Sequence, residues 1–281
     1  MPRSAESLVK GAISVASLPE IFIRLNEEVN NPYSNLSDIA DIISEDTGLA
    51  ARMLRIANSA MFNFPSPVLT ISHAITILGT RQLRDIVLAT YAIKTFKDIS
   101  GDLVNMRSFW QHSIACGIAA RVLATYQREP NIERFYVLGL LHDIGLLILY
   151  QEIPSVASTI LKKCRQEELL LYAAEEEVLG YNHALVGRLL LKAWKLPESA
   201  QEAVGCHHCP RLATSYPDEA ALIHVADILA TAMQMGDGGE HRVPPIEAEA
   251  WARIGLQTSM INDITQQIDL QYNDVVELFL A

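Results

Sequence analysis

Cysteine and long apolar runs are both scarce in this sequence. The 281 residues include four cysteines, Cys116, Cys164, Cys206 and Cys209, which are too few and too scattered for the disulfide framework of a secreted domain. No N-terminal stretch combines basic residues, an unbroken apolar segment and a small-residue cleavage site. The longest apolar run is too short and too interrupted to span a bilayer. We therefore expect a soluble, cytoplasmic protein with no membrane association.

Basic residues are also in short supply. The chain has 22 Lys and Arg against 33 Asp and Glu, a formal net charge of -11 at pH 7. Because nucleic-acid affinity comes from clustered Lys and Arg that release counterions, we expect no nucleic-acid partner. Glycine-rich phosphate loops, sequence repeats and low-complexity segments are missing as well, and we expect no organic cofactor.

The alternation that marks a half-buried strand is missing too. No run alternates apolar and polar residues with a period of two. Apolar residues recur instead at three- and four-residue spacing, as at Leu83, Ile86, Val87 and Tyr91, which is the helical pattern. Half of the residues are hydrophobic, enough for a large core. The sequence predicts an all-α fold, a compact multi-helix bundle with a packed N-terminal helical lobe.

Three segments are predicted within this bundle. Residues 1–100 form an N-terminal helical lobe, residues 101–235 a second lobe with the chemically interesting side chains, and residues 236–281 a C-terminal helical extension. The polar segment 97–105, which contains Gly101, is the predicted hinge between the two lobes. A glycine-rich loop at residues 236–239 opens the extension, and no catalytic motif is evident after it.

The run at residues 137–150, VLGLLHDIGLLILY, contains His142 and Asp143 and nothing else polar before Tyr150. An apolar run of this length predicts one core helix. A buried, unpaired carboxylate costs several kcal/mol, so Asp143 needs a partner. Two interpretations follow from the pair alone. Either both side chains hydrogen-bond to neighbouring helices, or they coordinate a divalent cation.

Further candidate ligands occur on other predicted helices or helix starts. His112 lies on a helix face of small residues, His183 near a helix start, and Asp227 on an apolar helix, while His207 and His208 are adjacent. Each is weak evidence alone, but mixed imidazole and carboxylate ligands suit iron, manganese or zinc. A structural histidine cluster without metal is the remaining alternative. The predicted metal ligands are His112, His142, Asp143, His183, His207, His208 and Asp227.

Other polar residues are expected to have structural or surface roles. Cys206 and Cys209 flank the histidine pair, but four consecutive residues of one helix cannot all converge on a tetrahedral ion, so cysteine-ligated zinc is not expected. The acidic run at residues 175–177 predicts a solvated helix face. His73, His224 and His241 are treated as structural or surface residues.

The order His112, His142-Asp143, Asp227 resembles the pattern of the HD superfamily of metal-dependent phosphohydrolases, and the extra histidines are like those of its HD-GYP branch. Further segments of the chain are NSA at 58–60, FWQHS at 109–113, GLLHDIG at 139–145, HALVG at 183–187, WKLP at 194–197 and HHCP at 207–210. In these segments and their order the chain more closely resembles the HDOD family, the HD-related output domain of bacterial signalling proteins. This resemblance implies an all-helical fold, a bacterial cytoplasmic source and a signal-transduction role with a partner protein.

Three departures from the HD-GYP pattern weaken the expectation of hydrolysis. Leu146 stands where those enzymes typically have a lysine, Ser108 where they have a glutamate, and Cys209-Pro210 follows the histidine pair in place of their Gly-Tyr-Pro loop. Without the cation at 146, the site loses one means of stabilising a phosphoryl transition state. We predict a non-enzymatic or weakly active signalling module. The alternative is a metal-dependent phosphohydrolase acting on a phosphodiester or nucleotide such as a cyclic dinucleotide, with Asp143 as its catalytic residue.

Overall fold

The computed structural model describes residues 3–13, 16–59, 61–62, 64–96, 99 and 103–280. Within these ranges the regular structure is helical and no strand occurs, which confirms the predicted all-α fold. The α-helices in chain order are α1 (Ala5–Ala12), α2 (Glu20–Asn30), α3 (Leu36–Ser44), α4 (Thr47–Ala57), α5 (Ile71–Leu78), α6 (Thr80–Thr95), α7 (Met106–Tyr126), α8 (Glu133–Leu141), α9 (Ile144–Glu152), α10 (Pro154–Glu167), α11 (Leu171–Leu179), α12 (His183–Ala193), α13 (Glu198–Cys206), α14 (Pro217–Ala232), α15 (Ala248–Ile254) and α16 (Ile261–Leu280).

The chain divides into two compact units. The first comprises Met1–Ser17 and Phe96–Asp269, and the second comprises Leu18–Thr95 and Leu270–Ala281. The predicted domain boundaries, 1–100, 101–235 and 236–281, stay a prediction. Much of the predicted hinge at 97–105, including Gly101, lies outside the described residues, as does Ala60 of the NSA segment.

The second unit consists of α2 to α6 and the end of α16. Its helix starts follow from short polar side chains, since Asn35 and Asp38 form a reciprocal capping box on α3 and Asp46 accepts from the backbone N–H of Leu49 on α4. Apolar residues at helical spacing then fill the interior, among them Ile43, Met53, Ile56, Ile75 and Leu83. This unit contains none of the predicted metal ligands.

The first unit is built around α7, which packs against α8 and α14. Small residues let the elements of this unit approach closely. A Cβ at Gly145, near the start of α9, would overlap the carbonyl oxygen of His183 at the start of α12. Only glycine allows these two backbones to meet, and their meeting brings the Asp143 turn next to His183.

The predicted single helix over residues 137–150 is wrong. Helix α8 ends at Leu141 and α9 begins at Ile144, with His142 and Asp143 in the turn between them. The backbone of Asp143 has ψ 8°, where a continuing helix would have about -42°. The His142 ring also takes the Gly139 carbonyl as its hydrogen-bond partner at 2.7 Å. This break turns both side chains toward one point.

The same region is the one segment of the described residues that is long and apolar enough to cross a membrane. It covers Glu133–Glu152 with a mean hydropathy of 1.2, and 89% of it is buried inside the fold. The apolar side chains of this segment therefore pack against other protein residues, as those of a core segment do.

Candidate metal centre

The seven predicted ligands come together in the first unit. His112 lies on α7, His142 and Asp143 in the α8–α9 turn, and Asp227 on α14. His183 is the first residue of α12, and His207 and His208 directly follow α13. Their nitrogen and oxygen atoms form two groups, in each of which all ligand atoms lie within 4.8 Å of one another. One group is Asp143, His183, His207 and His208, and the other is His112, His142 and Asp227.

Asp143 lies between the two groups. Its Oδ2 is 3.1 Å from Nε2 of His142 and 3.8 Å from Nε2 of His112. Its Oδ1 is 3.1 Å from Nε2 of His183 and 3.7 Å from Nε2 of His207. Each carboxylate oxygen therefore faces a different group, which is the geometry of a carboxylate that bridges two cations.

Two buried histidine nitrogens in the cluster lack a well-formed hydrogen bond. Nδ1 of His142 donates to the Gly139 carbonyl, and Nδ1 of His207 donates to the Val204 carbonyl, both at 2.7 Å. In the neutral form of either ring, Nε2 would then carry a lone pair toward the centre. Among the described residues neither Nε2 has a hydrogen bond of acceptable geometry, and such a buried orphan costs about 1–3 kcal/mol. A divalent cation held by each group would satisfy the nitrogen in that group, so the donor set fits metal binding.

Glu175 is a functional residue that the sequence analysis missed. The predicted solvated face at 175–177 is wrong for Glu175, which is 1% exposed, and holds for Glu176 and Glu177. Oε2 of Glu175 accepts from Nδ1 of His183 at 2.6 Å and from its backbone N–H at 2.8 Å. The carboxylate thus fixes the ring so that Nε2 faces Asp143.

A periodicity signal for Glu175 is present in the sequence. Glu175 is four residues after Leu171 and four before Leu179, both of which are buried on α11. Residues at this spacing share one helix face. The apolar stripe, followed through the acidic run, separates Glu175 from its two exposed neighbours.

The charges of the cluster are strongly perturbed. Burial alone would raise the pKa of Asp143, but His142 and His183 hold it well below its usual range. Burial would lower the pKa of His183, yet Glu175 and Asp143 raise it to about 10. Burial and the nearby His142 and His183 lower the pKa of His207 to about 3. Opposite shifts of this size within one cluster are typical of functional sites.

A loop at residues 236–240 covers the cluster. The hydroxyl of Tyr150 donates to the Gly238 carbonyl at 2.9 Å, and the backbone N–H of Asp237 donates to the Ser108 carbonyl at 3.1 Å. A Cβ on Gly238 would lie 3.1 Å from Oδ2 of Asp143. The loop that was predicted only to open the C-terminal extension is therefore part of the site.

The space left beneath this loop is small. The cavity has a volume of about 20 Å³ and is lined by ligands of both groups, by the loop and by the buried Leu146. A single water needs roughly 10–15 Å³ measured in this way. The closed site thus has room for ions or water, while a phosphodiester would require the loop to move.

The remaining histidines and cysteines lie outside the ligand set. His73 and His241 are exposed. His224 is buried, its Nδ1 donates to the His207 carbonyl at 2.8 Å, and its Nε2 accepts from the backbone N–H of Glu247 at 3.0 Å, so it helps to hold the His207 backbone. Burial raises the pKa of both Cys206 and Cys209, which disfavours the thiolate that zinc binding needs.

Comparison with known proteins identifies the family and supports the fold. The family model described as HDOD domain matches residues 15–210. A crystal structure of an HDOD domain protein with unknown function from Geobacter sulfurreducens is 25% identical, covers 99% of both chains and superposes with a TM-score of 0.77. A crystal structure from Shewanella amazonensis SB2B, named "Putative phosphohydrolase", is 24% identical over 97% of this chain and 98% of its own, also with a TM-score of 0.77, and shows the shared fold.

A curated relative is longer than this chain. An uncharacterized protein of Treponema pallidum (strain Nichols) is 24% identical over 205 residues, which are 73% of this chain and 39% of the relative. The chain therefore spans about two fifths of the length of that relative.

Proposed function

The chain belongs to the HDOD family, and on that premise we propose that it is a bacterial, cytoplasmic signal-transduction module with little or no hydrolytic activity. It holds divalent cations in the His and Asp cluster and passes a signal to a partner protein by direct contact. Neither group of ligands contains cysteine, and iron, manganese or zinc suits this imidazole and carboxylate set.

The small closed cavity is the observation that carries this proposal. About 20 Å³ is room for roughly one water-sized occupant, which is far less than a phosphodiester needs. Leu146 adds an apolar wall where phosphoryl transfer would need a cation to stabilise developing charge. Both features favour the holding of metal over the turnover of a substrate.

Each residue has a separate part in holding the metal. His112, His142 and Asp227 would hold one cation, and Asp143, His183, His207 and His208 would hold the other. Bound divalent cations would supply Lewis-acid chemistry and lower the pKa of a coordinated water. Glu175 keeps the His183 ring in position, and the loop at residues 236–240 limits access of bulk water.

A metal-dependent phosphohydrolase is the second candidate. It is favoured by the arrangement of Asp143 between two ligand groups, which is the arrangement that two-metal hydrolysis uses. In this case Asp143 is catalytic, the loop opens, and a phosphodiester or nucleotide such as a cyclic dinucleotide enters above the metals.

Elemental analysis of the purified chain and an Asp143→Ala variant tests the metal centre. We expect about one or two equivalents of iron, manganese or zinc in the native chain and loss of most of that metal in the variant. An Asp269→Ala variant, which changes an exposed aspartate on α16, should keep the metal. Absence of metal from all three proteins, purified without chelator, would contradict the proposal.

Turnover assays then separate the two candidates. The metal-loaded chain is incubated with phosphodiester and nucleotide substrates, and product is measured by chromatography. We expect no turnover above background. Hydrolysis that disappears in the Asp143→Ala variant would favour the phosphohydrolase instead.

A further inference from the structure

A groove in the second unit is distinct from the metal centre. It has a volume of about 730 Å³, which is within the usual range of ligand-binding clefts, roughly 300–1,000 Å³. Its walls come from the end of α4 and the residues after it, from the approach to α5, and from the end of α16. The lining residues are Leu54, Arg55, Asn58, Ser59, Val68, Leu69, Asp274, Glu277 and Leu278.

One wall of the groove is held rigid by Asn58. Its Nδ2 donates to the carbonyls of Leu54 at 2.7 Å and Val68 at 2.8 Å, and its Oδ1 accepts from the backbone N–H of Val68 at 2.7 Å. The side chain therefore ties the end of α4 to the start of the segment that leads into α5. A wall that is already ordered costs little conformational entropy when a ligand binds.

The groove offers unused polar and apolar contacts. Ser59 is only 9% exposed, and its Oγ has no hydrogen-bond partner among the described residues. Leu69 is 76% exposed beside it. A buried hydroxyl without a partner costs about 1–3 kcal/mol, and the exposed Leu69 offers an aliphatic surface that a partner side chain can cover.

The α16 side of the groove is negatively charged. Asp274 and Glu277 are exposed, lie one turn apart, and form no ion pair with any described residue. They lie near the C-terminal end of α16, whose last turn contains no basic residue. Glu277 lies in that last turn, where the helix dipole disfavours a carboxylate and a nearby cation is favourable. Arg55 is in the last turn of α4, where it complements the dipole of its own helix.

We propose that this groove is the docking site for a segment of a partner protein that carries lysine or arginine beside an aliphatic side chain. The basic side chain pairs with Asp274 and Glu277, and the aliphatic one packs on Leu69 and Leu278 beside Ser59. A nucleotide or nucleic acid is disfavoured, since its phosphates would face two carboxylates. The proposal deepens the proposed function by giving its protein contact a surface and a partner chemistry.

The test uses a short, end-blocked, fluorescent peptide of lysine and leucine in amphipathic order. Its binding to the full chain is measured by fluorescence anisotropy, next to a twin peptide in which glutamate replaces each lysine. We expect saturable, one-to-one binding of the basic peptide only. The Asp274→Lys/Glu277→Lys double variant should weaken binding at least about tenfold, because two attractive pairs become repulsive.

Matched variants separate the groove from general attraction to an acidic protein of net charge -11. Asp263→Lys/Asp269→Lys changes two exposed aspartates of the same helix and shifts the net charge equally. Leu69→Ser is paired with Leu270→Ser, a leucine outside the groove that is 70% exposed. We expect both control variants to bind like the native chain and Leu69→Ser to bind more weakly. Circular dichroism melting curves verify that all variants are folded.

Two results would overturn the docking site. One is the absence of saturable binding, and the other is an equal loss in the groove variants and their controls. Metal content is measured on the same samples. This measurement distinguishes failure of the docking site from failure of the proposed metal centre. Groove variants should retain metal, whereas loss of metal from Asp143→Ala with unchanged peptide binding bears on the metal centre alone.

Discussion

The metal ligands depend on residues that do not themselves face the centre. The carbonyl groups of Gly139 and Val204 each fix the tautomer of one histidine, and the Glu175 carboxylate fixes a third. Such partners orient the ring and, when they are carboxylates, increase the basicity of the ligand. Glu175 is the only one of these three partners that is a side chain, so it can be tested by substitution.

Glu175→Gln should weaken metal binding about 10- to 100-fold while the chain still folds. The amide keeps the size of the side chain but loses the charge that supports Nδ1–H of His183. The dissociation constant is measured by competition with a chelator of known affinity. Glu177→Gln is the matched control, because Glu177 is exposed on the same helix, and equal weakening in both variants would rule out a role specific to Glu175.

At the scale of elements, the loop at residues 236–240 depends on its close approach to α7. Gly236 has φ +84°, and a Cβ there would overlap the backbone nitrogen of His112 and the carbonyl oxygen of Ser108. Glycine is therefore required twice, for its backbone conformation and for lack of space. A side chain at position 236 therefore cannot fit unless the loop or α7 moves.

Gly236→Ala should push the loop away from α7 and expose the metal. We expect faster removal of metal by an excess of chelator, followed as a rate by absorbance of the chelate. Gly255→Ala is the control, since Gly255 also has positive φ, +65°, but has open space around its Cβ position. If the two variants lose metal at the same rate, the loop does not limit access to the site.

A second element, the segment before α14, is held by Glu202 on α13. Its carboxylate accepts from the backbone N–H groups of Thr214 and Ser215, both at 3.0 Å, and from that of Tyr216. Burial alone would raise the pKa of Glu202, but these donors lower it below the usual value. The carboxylate thus anchors the start of the helix that carries Asp227.

The sign of this pKa shift gives a pH dependence of stability. A carboxyl whose folded pKa is lowered stabilises the fold above its unfolded pKa, about 4.3 for Glu, and this contribution is lost as the pH falls through the folded pKa. Glu202→Gln should lower the free energy of unfolding at pH 7 by about 1–3 kcal/mol. Its thermal midpoint should also decline less than that of the native chain between pH 7 and the acidic range, and an equal decline would contradict this role.

At the scale of the whole molecule, metal binding and folding of the first unit should be linked. The seven candidate ligands come from five separate segments of the sequence that only the fold brings together. A ligand that binds only the folded state stabilises it by about 2.7 kcal/mol when present at one hundred times its dissociation constant. The metal is therefore expected to contribute to stability as well as to function.

Removal of metal with a chelator should lower the thermal midpoint of the native chain, as measured by circular dichroism. Re-addition of the metal should restore it. The Asp143→Ala variant should melt at the same temperature with and without chelator, because it has little metal to lose. A midpoint of the native chain that does not respond to the chelator would count against this linkage.

The sequence by itself determined the fold class and the family, and it supplied the list of candidate ligands. Helical spacing of apolar residues and the lack of alternation are local properties, and the HDOD segments are contiguous motifs. Ligand residue types such as His112 and Asp227 are also visible locally, since a polar residue within an apolar helix is conspicuous.

Only the tertiary structure decided how those residues are arranged. Whether His142 and Asp143 lie on one helix or in a turn depends on the ψ of a single residue, and the burial of Glu175 depends on which face of α11 meets α12. The closure of the site by residues 236–240 joins segments about one hundred positions apart. Each of these features is set by long-range packing. Local periodicity does not determine which distant segment of the chain a side chain will contact.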